Sequence, residues 1–501
     1  MSLIPKGASS YQALADRWLK AHHLGHLQSI ASWDRAACMP SKGNEARAAA
    51  MAEMSVLLHE LLTPQDMAEQ LTAASGEALD ESQQANLREM RRHWLSLTAL
   101  EAKAVRELQL VGARCEHAWR SQRPANDWQG FLPNFREVLR LSREKAHALS
   151  QKLGIAPYDA LMDQFEPGLT SAALDVVFND LRSWLPQLIQ EAAAKQKSDK
   201  VLKPTGPFPV EKQKQLCEAV MRLLGFDFEA GRLDVSAHPF CGGVPEDVRI
   251  TTRFNEADFM GSLFGTIHET GHARYEQGRP KAWLGQPASR ARSMAIHESQ
   301  SLFFEMQLGC HPGFLRRLAG MIAEHLGQQA AFEPDNLAML LTRVKPGKIR
   351  VDADEVSYPA HILLRYDIEK QLIEGQIQAD DIPALWDEAM MSLLGIDTRG
   401  DFQNGPLQDI HWPMGMFGYF PCYTLGAMYA AQWFESVRQS VPDLDLLIAQ
   451  GKIEPIFNWL GEHIWQQASF WPTDDLTVQA SGQALNPEFF QNHLRRRYLA
   501  A

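Results

Sequence analysis

Cysteine is scarce here. Six residues in 501 (Cys38, Cys115, Cys217, Cys241, Cys310 and Cys422) include no CxxC pair and are too sparse for a disulfide framework. The expected setting is a reducing cytoplasm, with the thiols buried. No apolar run approaches the ~18 residues that span a bilayer. The N-terminal stretch MSLIPKGASSYQALADRW lacks the apolar centre of a secretory signal. Positive charge is in deficit: 49 Lys and Arg stand against 61 Asp and Glu, a net charge of −12. That excludes general binding to a phosphate backbone, which needs an excess of cations. There is no repeat of fixed period and no low-complexity tract.

What is present is helix. Hydrophobic residues make up 45% and charged residues 22%, an ordinary globular balance. Length allows roughly three domains, or one large fold with two lobes. Asp80 and Gln83 fit a capping pair, and Leu87, Met90, Trp94, Leu97, Ala104 and Leu108 mark one face. With no Pro or Gly inside, the spacing predicts one helix of about 30 residues from Asp80 to Val111. The Pro-rich stretch between Lys195 and Pro209 is a lobe boundary or long loop. It divides residues 1–200, an N-terminal helical lobe or cap, from residues 201–501, a second helical lobe of one continuous fold. His238 to Asp247 reads as a loop, and Val248 to Phe254 as a short half-exposed strand. Arg399 to Tyr423 is irregular.

The chemistry is carried by Phe259 to Tyr275, which contains the HExxH sequence His268, Glu269, Thr270, Gly271, His272. By residue frequency fewer than about 0.1 such motifs are expected in a chain of this length. On a helix, residues four apart share a face, so both imidazoles can converge on one tetrahedral cation. Glu269 can then address water held by that cation. Asn255 fits the N-cap of this helix. Gly271 costs roughly 1 kcal/mol relative to Ala inside a helix, a cost that close approach of another backbone would explain. A hydrolytic site needs a further protein ligand. Glu298 lies 298 − 272 = 26 residues on, with Gly and Pro between to turn an antiparallel helix. The alternative is a solvated His297–Glu298 surface pair. Glu305 falls about two turns after Glu298; it reads as a surface residue, or else as a carboxylate behind the ligands.

Two imidazoles and a carboxylate leave a divalent ion with net positive charge. Such an ion lowers the pKa of bound water toward ~7. Metal-assisted hydrolysis of a peptide bond is the natural reaction. Strand Val248 to Phe254, read as an edge strand, could hold an extended peptide.

Further blocks extend the motif. They are Asp247 to Thr251, His297 to Gln300, Ile349 to Glu355 with Tyr358, His361, Arg365 and Tyr366, and Gly405 to Trp412 with Gly418 to Pro421 and Tyr423. With HExxH these match the DxRxT, HESQ and later blocks of the carboxypeptidase Taq (M32) family, which the chain resembles over nearly its whole length. Weaker likeness includes Ser32 to Asp34 and Tyr158 to Asp163.

The resemblance implies an almost all-α fold with a very small β element, a zincin-like pair of lobes and a deep groove. It implies a divalent metal, usually zinc or cobalt, removal of single residues from peptide C-termini, and a homodimer. It also makes His268, His272 and Glu298 the metal ligands and Glu269 the general base. A carboxypeptidase must grip a free carboxylate. Arg350 is the first choice, against the alternative of a structural ion network with Asp352, Asp354 or Glu355; Arg249 is the second. His238, Tyr419, Tyr423 and His411 are candidate oxyanion donors, with His411 and Tyr423 favoured and Asp409 as a group that orients His411. The competing readings are a helical HExxH oligopeptidase and a catalytically idle peptide-binding scaffold.

Overall fold

The computed structural model describes residues 9–236 and 239–500. It is 68% helical, and among the described residues its strands form one three-stranded sheet. The first half runs through α1 (Ser10–Ala37), α2 (Asn44–Leu62), α3 (Met67–Ser75), α4 (Glu81–Leu97), α5 (Ala102–Gln122), α6 (Trp128–Leu153), α7 (Pro157–Met162), α8 (Ser171–Lys195) and α9 (Val210–Leu223). The sheet follows, as β1 (Gly231–Val235), β2 (Phe240–Val244) and β3 (Asp247–Thr252). Then come α10 (Met260–Gly278), α11 (Met294–Leu302), α12 (Pro312–Leu326), α13 (Pro334–Leu341), α14 (Tyr358–Ile373), α15 (Ile382–Leu394) and α16 (Pro421–Ser440). Short helices α17 (Leu444–Gln450), α18 (Glu454–Leu460) and α19 (Thr473–Ser481) lead to α20 (Glu488–Tyr498). No described helix is long and apolar enough to cross a membrane.

The expected capping box at Asp80 and Gln83 is present, but the expected single helix is two. The chain turns between Leu97 and Ala102. The Thr98 hydroxyl donates back to the Trp94 carbonyl at 2.8 Å, and Lys152 of α6 donates to the Thr98 carbonyl. The apolar stripe also serves two cores. Leu87, Met90 and Trp94 pack with Tyr11, Leu14 and Trp18 in a small cluster, whereas Leu108, Val111 and Cys115 join the main core. A straight helix would not reach both.

The sheet order is β1-β3-β2, with β1 parallel and β2 antiparallel to β3. Two expectations change here. The segment read as a loop contains β2, joined to β3 by a tight turn in which Val244 pairs with Asp247. Its Gly243 has φ +108°, and a Cβ there would stand 2.1 Å from the Asp247 carbonyl oxygen, so only glycine fits. The strand read as an edge is the central one. Its hydrogen-bonding groups are taken on both sides, and the edge that faces the cavity belongs to β2. The thiols also divide: all six are unpaired, but Cys38 is exposed and Cys241 half-buried, while the other four are buried.

Candidate active site

Helix α10 begins at Met260, not after Asn255. The Asn255 side chain accepts from Ala257 N in a turn (2.9 Å), and Asp258 accepts from Met260 N (2.9 Å). The helix packs against β3 below and α11 beside it. Its Gly271 lies so close to α11 that a Cβ would stand 2.4 Å from the Gln300 carbonyl oxygen and 2.7 Å from Ser301 Cα. The close backbone expected from the sequence is therefore α11, the helix that carries Glu298. On the other side α16 presses on α11 through Gly426, where a Cβ would stand 2.7 Å from Glu298 Cγ.

This stack brings His268, His272 and Glu298 together, with one donor atom of each within 4.8 Å of the others. The outer ring nitrogens are committed elsewhere. His268 Nδ1 donates to Glu305 Oε2 (2.7 Å), and His272 Nδ1 donates to the His297 carbonyl (3.1 Å). Both Nε2 atoms are left to face Glu298, whose Oε2 is 3.4 Å from His272 Nε2. Burial alone would lower the His268 pKa. The hydrogen bond to Glu305 and the charges of Glu298, Glu305 and Glu269 outweigh it and hold the value at about 10. Burial, then the neighbouring His297, lowers His272 to about 4. Three carboxylates around two imidazoles make a place that demands a cation, and the donor set fits a divalent ion.

Glu305 is thus a partner of His268 and not a surface residue. It stands on a π-helical segment, Phe303–Gly309, that continues α11. His297 and Glu298 are not a solvated pair either. His297 Nε2 donates to Glu276 Oε1 (2.9 Å), and its ring stacks on His272 at 4.6 Å. Glu276 is one turn beyond His272 on the same helical face, which is the signal in the sequence that could have revealed this pair.

A cavity of about 740 Å³ opens over these groups. Its wall includes Glu269, Cys241 of β2, Arg350, Tyr358, Tyr419 and Tyr423. Glu269 is buried and accepts no hydrogen bond from any described residue. Burial first, with Glu298 and Glu305 adding to it and His268 and His297 opposing, raises its carboxyl to about 7.

Arg350 pairs with none of Asp352, Asp354 or Glu355. Asp409 Oδ1 accepts from its Nε (3.0 Å) and Nη2 (2.8 Å). Asp409 Oδ2 accepts from Arg365 Nε (2.7 Å) and Nη2 (2.5 Å). One carboxylate shared by two guanidiniums leaves one positive charge over, and Arg350 carries it to the cavity wall. Asp409 therefore positions arginines and makes no hydrogen bond to His411. Both arginines hold the Asp409 carboxyl well below the usual range, against the effect of burial. His411 is buried behind Tyr423, its Nε2 3.4 Å from the Tyr423 hydroxyl. Burial lowers it to about 4, against the pull of Asp409. Tyr419 packs edge-on against Phe165 at 5.0 Å. Arg249 does not line the cavity. It donates to Asp247 (2.5 and 2.9 Å) and lies over Trp33 of α1 at 4.5 Å, tying the sheet to α1. His238 lies outside the described residues.

Residues 13–498 match the family profile described as carboxypeptidase Taq (M32) metallopeptidase. The chain belongs to this family. Metallocarboxypeptidase 1 of Trypanosoma cruzi superposes with a TM-score of 0.96 at 45% identity, over 98% of this chain and 99% of that one. An M32 carboxypeptidase from Deinococcus radiodurans R1 gives 0.93 at 30% identity, over 98% of each chain. Thermostable carboxypeptidase 1 of Thermus thermophilus is 35% identical over 98% of this chain and 99% of its own length. Membership of a metallopeptidase family implies a divalent metal and peptide substrates.

The carboxylate behind His268 gives a test of the M32 site. Glu305→Gln keeps an acceptor for His268 Nδ1 but removes its charge. Partners of this kind contribute 10- to 100-fold to metal affinity, so zinc titrated calorimetrically into the variant should bind about 10-fold more weakly or worse.

Proposed function

We propose that this chain is a metal-dependent carboxypeptidase that removes single amino acids from the C-termini of peptides. The observation that carries this reading is the uncompensated positive charge of Arg350 in the same cavity as the three metal donors. A peptide bond is cut next to a terminus only if something holds that terminus. A guanidinium does so for a free carboxylate, and an internal peptide segment leaves it unpaired.

His268, His272 and Glu298 would hold the ion, zinc in our reading and cobalt as the alternative. When bound, such an ion lowers the pKa of water and polarises a carbonyl oxygen. Glu269 takes the proton of the attacking water and returns it to the departing amine. Tyr423, backed by His411, donates to the developing oxyanion, and Tyr419 borders the same space. The free edge of β2 holds the extended peptide by backbone hydrogen bonds. The resemblance and the unpaired thiols support a cytoplasmic homodimer.

The test is a mass-spectrometric ladder. Metal-loaded protein is given one peptide with a free C-terminus and its C-terminally amidated twin. Sequential loss of single residues from the free peptide alone is the expected result. Internal fragments from both would replace this reading with an oligopeptidase. No cleavage with any divalent ion would leave a peptide-binding scaffold.

A further inference from the structure

Beside Arg350 in the cavity wall stands a hydroxyl whose proton has no acceptor among the described residues. It belongs to Tyr358, the first residue of α14. The turn before it is held by Asp354, which accepts from Val356 N (3.1 Å), Ser357 N (3.0 Å) and Ser357 Oγ (2.8 Å). The Tyr358 ring meets Tyr423 edge-on at 6.1 Å, and its oxygen accepts from Arg350 Nη1 at 2.7 Å. With its lone pair so engaged, the phenol is oriented as a donor toward whatever enters the cavity. Burial, opposed by Arg350, raises its pKa to about 12, so the proton stays on at neutral pH.

Asp409 constrains how Arg350 can bind a ligand. It occupies the Nε–Nη2 edge, the side on which a carboxylate makes its usual paired contact. A second carboxylate is left with the outward Nη hydrogens. Those lie beside the Tyr358 hydroxyl.

We propose that Tyr358 is a specificity-determining residue that completes the grip on the peptide's terminal carboxylate, one oxygen accepting from Arg350 and the other from the Tyr358 hydroxyl. The inference rests on the carboxypeptidase reading and goes beyond it. It makes the site a pair of donors facing two acceptor oxygens. A terminal amide offers one acceptor oxygen and one NH2 group, so a donor would confront a donor. Discrimination against blocked termini then resides in two side chains, not in the arginine alone.

The experiment compares Tyr358→Phe with its parent, both as zinc-loaded protein in a Glu269→Gln background, so that binding is read without turnover. Calorimetry measures one peptide and its amidated twin on each protein. A hydrogen bond to a charged group corresponds to roughly 10-fold or more in affinity. The expected result is a loss of about that size for the free peptide, with the amide nearly unchanged. With Glu269 intact, Tyr358→Phe should raise KM for the free peptide and leave kcat within about 3-fold. Equal loss for peptide and amide would mean a structural role only and would overturn the proposal. Unchanged discrimination would overturn it too, as would a fall in kcat at constant KM, which would mark Tyr358 as an oxyanion donor. If the parent itself binds peptide and amide alike, the C-terminal reading fails, and that outcome is visible before any Tyr358 variant is examined.

Discussion

Glu269→Gln is expected to cut kcat by about 10³-fold while metal content stays at the level of the unsubstituted protein. The side chain is buried, borders the cavity and accepts no hydrogen bond from a described residue. It is therefore free to address a water molecule. Glutamine has nearly the same volume, so packing against the helix is retained, but its amide cannot take up a proton at neutral pH. The proposed ligand atoms belong to other residues, so the ion should remain. Elemental analysis and single-turnover hydrolysis, measured together, check both halves. Hydrolysis at the original rate would remove Glu269 from the mechanism. Loss of the ion would make it a ligand.

Gly271→Ala should damage both the fold and the site. The added methyl would stand 2.4, 2.7 and 2.8 Å from Gln300 O, Ser301 Cα and Gln300 C. These are backbone atoms, so no rotamer change relieves the clash, and α10 must separate from α11. Overpacking of this kind costs about 3 kcal/mol, far more than the ~1 kcal/mol by which Ala is favoured in an isolated helix. The separation also moves His272 away from Glu298. A lowered melting temperature together with at least 10-fold weaker zinc binding is expected. A variant as stable as the parent would show that the two helices are not held by this contact.

Helical character and the cluster of His268, His272 and Glu298 were legible because both follow from local patterns. HExxH is a spacing on one helix, and Glu298 sits in a short block with its own pattern. The cost of a glycine inside that helix also pointed to a close neighbour, which is α11. Features that depend on what lies opposite were not legible. The turn at Thr98 follows from an apolar stripe divided between two cores. The central position of β3 follows from β1, which pairs with it in parallel from 17 residues earlier (Gly231 with Val248). Glu305 read as exposed because nothing in its own helix shows that His268 stands opposite. Arg350 does line the cavity, but its partner Asp409 lies 59 residues away and was not expected as such. Glu369 is a similar case. Its buried carboxylate accepts from Trp412 Nε1, Gly418 N and the Tyr158 hydroxyl (2.8, 2.9 and 3.0 Å). It thereby fixes the irregular segment that leads to Tyr419 and Tyr423, although nothing near it in sequence marks it.

The helix that bears Glu298 is clamped between two glycine contacts, Gly271 on one side and Gly426 on the other. The spacing of His268, His272 and Glu298 is thus set by how closely α10, α11 and α16 can approach, and not by an ion. Small metal domains that fold around their ion lose their structure to a chelator. Here a chelator should silence the protein and leave it folded, and adding back an ion should restore it within the time of mixing. Activity would then follow the supply of free metal, as a reversible dial and not as a step in assembly.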